Sequence, residues 1–162
     1  MGSDSDWPMV KGVVSTLDEF GIVSDVRVIS AHRTPELAAA YARGASGRGL
    51  KVLIAAAGGA AHLAGVLASH TTLPVIGIPI EGGALKGLDA LLATLQMPAG
   101  VPVATVTLGS AGPVNAGVLA VQMLAAGRPG LAAKLATYKR ALKAKVAKSN
   151  ANVQRDIRKG RA

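Results

Sequence analysis

A chain of 162 residues of which half are apolar is long enough to bury one hydrophobic core, so we expect a single globular domain. Only four residues are aromatic, while Ala, Val, Leu and Gly dominate, a composition typical of helices packed closely on a parallel sheet. The chain has no cysteine, which excludes disulfides, thiolate nucleophiles and most structural zinc sites.

The net charge of +9 is concentrated at one end of the chain. Residues 1–130 carry eight basic and eight acidic side chains, whereas residues 131–162 carry ten basic side chains and one acid, Asp156. We therefore predict an α/β domain over 1–130 and a separate C-terminal helix with a basic tail over 131–162.

The predicted elements alternate between helix and strand, which indicates a parallel sheet with helices on both faces. The pattern begins with a helix from the N-cap Asp6 to Gly21 and ends with a helix from Leu131. Between them we predict strands over 26–29, 51–56, 75–78 and 103–108, and helices over 34–48, 60–69, 88–95 and 113–125. Ligands of such sheets bind beyond the carboxyl ends of the strands, where the polar loops of this chain fall.

The first polar loop places Ser3, Ser5 and Asp6 beside Gly2 at a helix amino terminus. Free backbone N–H groups and hydroxyls at such a position can hold a phosphate. The same residues also suit an ordinary capped helix start, so the loop alone does not decide between the two interpretations.

The second polar loop, Ser30 to Pro35, follows a predicted strand and contains His32 and Arg33 side by side. An imidazole can exchange protons near neutral pH, and a guanidinium binds phosphate or carboxylate. We therefore interpret this loop as part of a site.

The third loop, Ala57 to Leu63, joins the Gly58–Gly59 turn to a helix start, where backbone amides can approach an anion. His62 is either a second polar group of the site or a buried histidine bonded to backbone. The glycine-rich stretch 81–87 and Gln96 could cover a ligand, and we expect His70 to cap a helix.

Six motifs, in order along the chain, resemble those of the N5-carboxyaminoimidazole ribonucleotide mutase family, the bacterial-type purine carboxylases. They extend from Met1 to about Ala126. The motifs are Met-Gly-Ser-x-Ser-Asp-Trp at 1–7, Ser-Ala-His-Arg-Thr-Pro at 30–35, Ala-Gly-Gly-Ala-Ala-His-Leu at 57–63, Leu-Pro-Val-Ile-Gly at 73–77, Gln-Met-Pro at 96–98 and Ala-Gly-x-x-Asn-Ala at 111–116.

The resemblance implies a flavodoxin-like three-layer α/β/α sandwich and an isomerase of purine (IMP) biosynthesis. In that family the N5-carboxylate of an aminoimidazole ribonucleotide moves to ring carbon 4 by decarboxylation and recarboxylation. The roles that it implies are substrate binding for nine residues and general acid and base catalysis for His32. The binding residues are Ser3, Ser5, Asp6, Ser30, Arg33, Gly58, Gly59, His62 and Leu63.

The resemblance further implies a homo-octamer with active sites between subunits, no cofactor and no metal. It also implies a functional link to the ATP-dependent carboxyaminoimidazole ribonucleotide synthase. A related branch uses free carbon dioxide directly and typically carries Lys where this chain has Arg33, which favours the mutase. The alternatives are that direct carboxylase and a non-catalytic phosphosugar or nucleotide-binding protein.

The sequence departs from the family pattern at its beginning, because an apolar strand precedes the Met-Gly-Ser loop in the family. We therefore expect a first strand of the sheet to be missing here, so that either the natural start lies upstream or the chain as it stands is destabilised. Smaller departures are Ala56, Ala64 and Glu81-Gly82, of which the Glu81 charge would oppose an anionic ligand unless it points outward.

We expect a cytoplasmic protein, because acids replace the basic region of a secretory signal and the apolar runs are too short to span a membrane. The basic tail is interpreted as a solvated helix with a frayed end. Contact with nucleic acid or with acidic neighbours is the alternative.

Overall fold

The computed structural model describes residues 1–161 and divides the chain into two compact units, one over Met1–Leu124 and one beginning at Ala125. The helices of the first unit are α1 (Trp7–Glu19), α2 (Pro35–Arg43), α3 (Leu63–Ser69), α4 (Leu88–Leu95) and α5 (Ala111–Ala125), which reaches one residue into the second unit. A short 3-10 turn, Asp4–Asp6, precedes α1.

The sheet of the first unit has three parallel strands in the order β1 (Leu53–Gly58), β2 (Val75–Ile80) and β3 (Ala104–Thr105). β1 and β2 pair along their whole lengths, from Leu53 opposite Val75 to Gly58 opposite Ile80. All six residues of β2 are buried, as expected of a central strand covered on both faces. The alternating parallel architecture predicted from the sequence is confirmed.

Small residues allow the helices to approach the sheet and one another closely. α3 packs on β1 through Leu63, Ala64 and Leu67, which lie in one apolar cluster with Leu53 and Ala55. This core contains so many alanines because short side chains bring a helix close to a strand.

The prediction of a strand over 26–29 is wrong, because this segment does not form a regular strand. The segment is nevertheless hydrogen-bonded to the amino terminus. The Met1 ammonium donates to the Arg27 carbonyl over 2.9 Å, and the Ile29 N–H donates to the Met1 carbonyl over 2.9 Å. The Gly2 N–H donates on the other side to the carbonyl of Ala56 in β1 over 3.0 Å. Met1 and Gly2 therefore lie between the 27–29 segment and β1.

Several predicted boundaries also differ. The strand predicted over 103–108 is observed only as Ala104–Thr105. The Val106 N–H still donates to the Gly77 carbonyl, but the regular hydrogen-bond ladder does not continue beyond that bond. α2 ends at Arg43 and not near residue 48, and the chain continues through turns to Gly49, whose φ is +85°. Non-glycine residues rarely adopt that backbone conformation.

The second unit contains α6 (Pro129–Lys159), which continues without a break through the basic segment. The prediction of a frayed tail is wrong for the residues up to Lys159, because α6 remains helical to that residue. Nine of its 31 residues are exposed Lys or Arg, and Leu142, Val146, Val153 and Ile157 are also exposed. No helix within residues 1–161 is both long enough and apolar enough to cross a membrane.

Candidate functional site

The Ser3 to Asp6 loop is organised by its own side chains. The Ser3 N–H donates to Asp6 Oδ2 over 3.2 Å, and the Ser5 N–H donates to Ser3 Oγ over 3.3 Å, which makes a capping box around the 3-10 turn. The Ser5 hydroxyl donates to Ser3 Oγ over 2.9 Å. Asp6 precedes α1 as predicted, but its carboxylate bonds backwards to Ser3 and makes no side-chain cap to α1.

The second loop is closed by Ser30 and Thr34. The Ser30 N–H donates to Thr34 Oγ1 over 3.1 Å, and the Thr34 hydroxyl donates to the Ser30 carbonyl over 2.9 Å. The Thr34 hydroxyl therefore bonds within the loop, and the start of α2 has no side-chain cap. The sequence pattern predicts a helix start at Thr34 but does not reveal that its hydroxyl closes the loop.

Arg33 joins the second loop to the first. Its backbone N–H and Nε donate to Ser30 Oγ over 3.1 and 3.4 Å, and its Nη2 donates to the Gly2 carbonyl over 3.1 Å. These bonds use Nη2 and Nε, so the guanidinium retains N–H donors for an anion. The side chain is exposed.

His32 joins the second loop to the third. Its Nε2 lies 2.8 Å from His62 Nδ1, and the two rings meet edge to face with centroids 4.9 Å apart and planes at 80°. His62 is exposed, so the alternative in which it is buried and bonded to backbone is wrong. Both imidazoles face solvent within a single chain.

The turn beneath His62 depends on two glycines. Gly58 is the last residue of β1, and a Cβ there would lie 3.4 Å from the Ile80 carbonyl oxygen. Gly59 has a φ of +61°, a left-handed conformation that favours glycine. His62 then takes the N-cap position of α3, while the next residue, Leu63, is buried in the apolar cluster.

The structure thus brings three loops into contact at the carboxyl end of β1. Eight of the ten predicted site residues lie on these loops, while Gly58 ends β1 and Leu63 begins α3 with its side chain in the core. Arg33 bridges to Gly2, His32 bridges to His62, and Gly2 bridges to Ala56. An imidazole pair beside a guanidinium and a serine-rich turn can bind an anion and exchange protons. His70 lies outside this cluster as the C-cap of α3, as predicted.

The same arrangement offers little to a metal ion. In the part of the chain that the structure describes, no three or more His, Asp or Glu side chains are grouped as metal ligands. The two neighbouring imidazoles are engaged with each other.

The family model of AIR carboxylase matches residues 1–145, which include all three loops. The chain belongs to the AIR carboxylase family. A Mycobacterium tuberculosis protein of this kind, named N5-carboxyaminoimidazole ribonucleotide mutase, is 57% identical over 155 residues, which cover 96% of this chain and 88% of that protein. A Bacillus subtilis protein of the same name is 55% identical over 135 residues, covering 83% of each chain.

Solved structures agree with the family assignment. The crystal structure of Treponema denticola PurE superposes with a TM-score of 0.82 at 26% identity, over 94% of each chain. The predicted resemblance to the mutase family and the flavodoxin-like fold are both confirmed.

Proposed function

We propose that this protein is an N5-carboxyaminoimidazole ribonucleotide mutase, an isomerase of purine biosynthesis. The observation that carries the proposal is the 57% identity to a protein of that name over nearly the whole of both chains. Arg33 supports the mutase over the direct carboxylase, because the resemblance associates Lys at this position with the branch that uses free carbon dioxide.

The ribonucleotide's phosphate and ribose would bind where the first two loops meet. Ser3, Ser5 and Asp6 supply hydroxyls and a carboxylate there, and the guanidinium of Arg33 reaches the same loop through Gly2. Ser30 would hold Arg33 in place through its hydroxyl. A guanidinium fixed in this way suits a phosphate because its planar donors are oriented before the ligand arrives.

The reacting carboxylate would lie at the third loop. Gly58 ends β1, and an added Cβ at the following Gly59 would meet nothing within 4 Å, so the turn leaves space there. His62, at the start of α3, carries an Nε2 for which the structure gives no hydrogen bond among residues 1–161. Leu63 anchors this end of α3 in the core and so fixes the position of His62.

His32 would exchange the two protons of the reaction. Its imidazolium protonates the carbamate nitrogen as the N–C bond breaks and carbon dioxide leaves. Ring carbon 4 then forms a bond to the carbon dioxide, and neutral His32 removes the proton from that carbon, so the imidazolium is regenerated. The reaction consumes no net proton and requires neither metal nor cofactor.

The resemblance implies a homo-octamer, and the exposure of the site within one chain supports the part of this proposal that puts active sites between subunits. His32, Arg33 and His62 all face solvent in one chain, whereas freed carbon dioxide must be held close. Helix α4 and the loop before it also expose four leucines, Leu85, Leu88, Leu92 and Leu95, each between 45% and 59% exposed. An apolar face of this kind indicates an interface between protein chains.

The stretch from Glu81 to Gly87 is proposed as a lid over the site. Gly83, Lys86 and Gly87 all have positive φ, and all residues from 81 to 86 are exposed. Glu81 lies beside Gly109, where its Oε1 would be 3.4 Å from an added Cβ.

We further propose a mutase domain over 1–130, a cytoplasmic location and a functional link to the ATP-dependent synthase. The synthase link follows from chemistry, because a reactive carbamate must be made close to where it is used. The basic residues of α6 remain best interpreted as a solvated face, with nucleic-acid contact as the alternative.

The purified protein should be supplied in parallel with the carbamate substrate and with aminoimidazole ribonucleotide plus bicarbonate. A mutase converts the carbamate efficiently, whereas efficient use of only the second mixture would identify the direct carboxylase. His32→Asn should abolish turnover of the carbamate and retain ligand affinity. A protein that binds both nucleotides and turns over neither would instead be the non-catalytic alternative.

A further inference from the structure

The contact between the two imidazoles uses one specific nitrogen of each ring. His32 presents Nε2 and His62 presents Nδ1, at a separation of 2.8 Å. A hydrogen bond at this distance needs one proton between the two nitrogens, so one ring donates and the other accepts. The contact therefore links the tautomer of one histidine to that of the other.

We infer that His62 is a positioning residue that holds His32 as its Nε2–H tautomer, so that Nδ1 of His32 is the nitrogen that exchanges protons with the substrate. This inference rests on the proposed mutase function. It assigns to His62 Nδ1 a task separate from the proposed contact of His62 Nε2 with the carboxylate.

The direction of the hydrogen bond follows from the two states that His32 must adopt. As an acid, His32 is an imidazolium with protons on both nitrogens, and its Nε2–H can only donate to His62. If it remains the donor after losing the Nδ1 proton, only Nδ1 changes between N–H and lone pair. His32 can then serve both proton transfers without turning its ring or exchanging its partner.

The same arrangement fixes His62. A neutral His62 that accepts at Nδ1 carries its proton on Nε2, where it is a donor. A donor at that position suits a carboxylate, and it suits the oxygens of carbon dioxide as they gain negative charge. The opposite direction would leave His62 Nε2 with a lone pair facing an anion.

The local structure allows His62 to carry out this task. His62 lies at the N-cap of α3, between the left-handed Gly59 turn and buried Leu63, so its backbone is held on both sides. His32 lies in a loop closed by the Ser30 and Thr34 hydrogen bonds. The two loops thus hold the backbones at a position where the rings meet with their planes at 80°.

Two conservative variants of His62 separate its two nitrogens. The side-chain amide of Asn falls near the Nδ1 position of His, whereas the amide of Gln reaches the Nε2 position. We expect His62→Leu to lower kcat on the order of 100-fold, as losses of tautomer-fixing partners do. His62→Asn should have a kcat at least about ten-fold higher than that of His62→Leu, with a KM that stays above the wild-type value. His62→Gln should keep the low kcat of His62→Leu, with a KM nearer that of the wild type.

A direct measurement accompanies the kinetics. In protein labelled with 15N histidine, with His70→Gln used to assign the signals of the three histidines, neutral His32 should appear as the Nε2–H tautomer. His62→Leu should release it to a mixture of tautomers, and His62→Asn should restore the single form.

The inference is overturned if His32 is found as the Nδ1–H tautomer, or if the Asn and Gln variants lose kcat equally. These outcomes are distinguishable from failure of the mutase proposal. An inactive wild-type protein would refute the function, while the spectrum would still report whether His62 sets the tautomer of His32.

Discussion

Arg33 donates a hydrogen bond from its Nη2 to the carbonyl oxygen of Gly2 over 3.1 Å, and so connects two loops that are 31 residues apart in sequence. The same side chain is bound to Ser30 Oγ through Nε. One guanidinium thereby holds the serine-rich turn and the histidine loop together, and these bonds fix the direction of its remaining N–H donors. An ammonium group has no planar fork with which to make these contacts together.

Arg33→Lys should therefore weaken substrate binding more than it slows chemistry. We expect KM to rise on the order of ten-fold, because loss of a charge-assisted hydrogen bond costs roughly 1.5–3 kcal/mol and the lysine restores part of the charge. Steady-state kinetics on the carbamate substrate would measure the change. Arg43→Lys, at the exposed end of α2, is the matched control and should leave KM unaltered.

The exposed leucines of α4 give a test of the proposed assembly. Leu92→Glu places a charge in the middle of this apolar face, which should dissociate the oligomer and lower turnover because the site would be left open. Light scattering coupled to gel filtration would report the mass, and circular dichroism would verify the fold. Gln122→Glu adds the same charge at an exposed position of α5; if both variants keep the wild-type mass, α4 is not at an interface.

Gly77, in the middle of buried β2, should not tolerate a side chain. A Cβ at this position would collide with the methyl group of Thr94 in α4 and press on Val103. We expect Gly77→Ala to lower the free energy of unfolding by roughly 1–3 kcal/mol, measured by urea denaturation. Gly82→Ala, in open space with an ordinary φ, should change it by less than about 0.5 kcal/mol.

Burial raises the pKa of the Tyr41 phenol, and the nearby carboxylate of Asp25 raises it further. Because the folded-state pKa lies above the unfolded value of 10.0, folding favours the protonated phenol. The contribution of the Tyr41 phenol to the free energy of unfolding is therefore complete below pH 10 and is lost as the pH rises through the folded pKa. Urea unfolding should be measured from about pH 9 to about pH 11, a range that brackets the pKa of an ordinary tyrosine. The free energy of unfolding should decline over this range. Tyr41→Phe should reduce the decline, and Tyr138→Phe should not.

Deletion of residues 143–162 should leave turnover within about two-fold of the full chain, because a solvated basic face makes no contribution to the chemistry. The three loops of the site all lie before residue 64, and the AIR carboxylase match ends at residue 145. Kinetics on the truncated and full-length proteins would check this expectation. A large loss of activity would mean that the end of α6 contacts an active site or stabilises the assembly.

The sequence predicted the alternating fold and all three loops, because turn glycines and helix starts are encoded locally. The partnership of His32 with His62 was not predictable in the same way. It depends on how two loops 30 residues apart meet beyond β1, and the contacts that set this distance are the hydrogen bonds of Met1 with Ile29 and of Gly2 with Ala56. The segment 26–29 was predicted as a strand from its β-branched residues and does not form one. A strand also needs hydrogen-bond partners on a neighbouring strand, and the sequence pattern does not show whether these are present.

Trp7 is the first residue of α1 and directly follows Asp6, and its side chain is 41% exposed. It is also the single tryptophan of the chain. An indole in that position is a built-in optical reporter, because an anion arriving at the neighbouring turn changes the field and the hydration around the ring. Occupancy of the proposed nucleotide site can thus be followed through intrinsic fluorescence, without a label and in variants that no longer turn over.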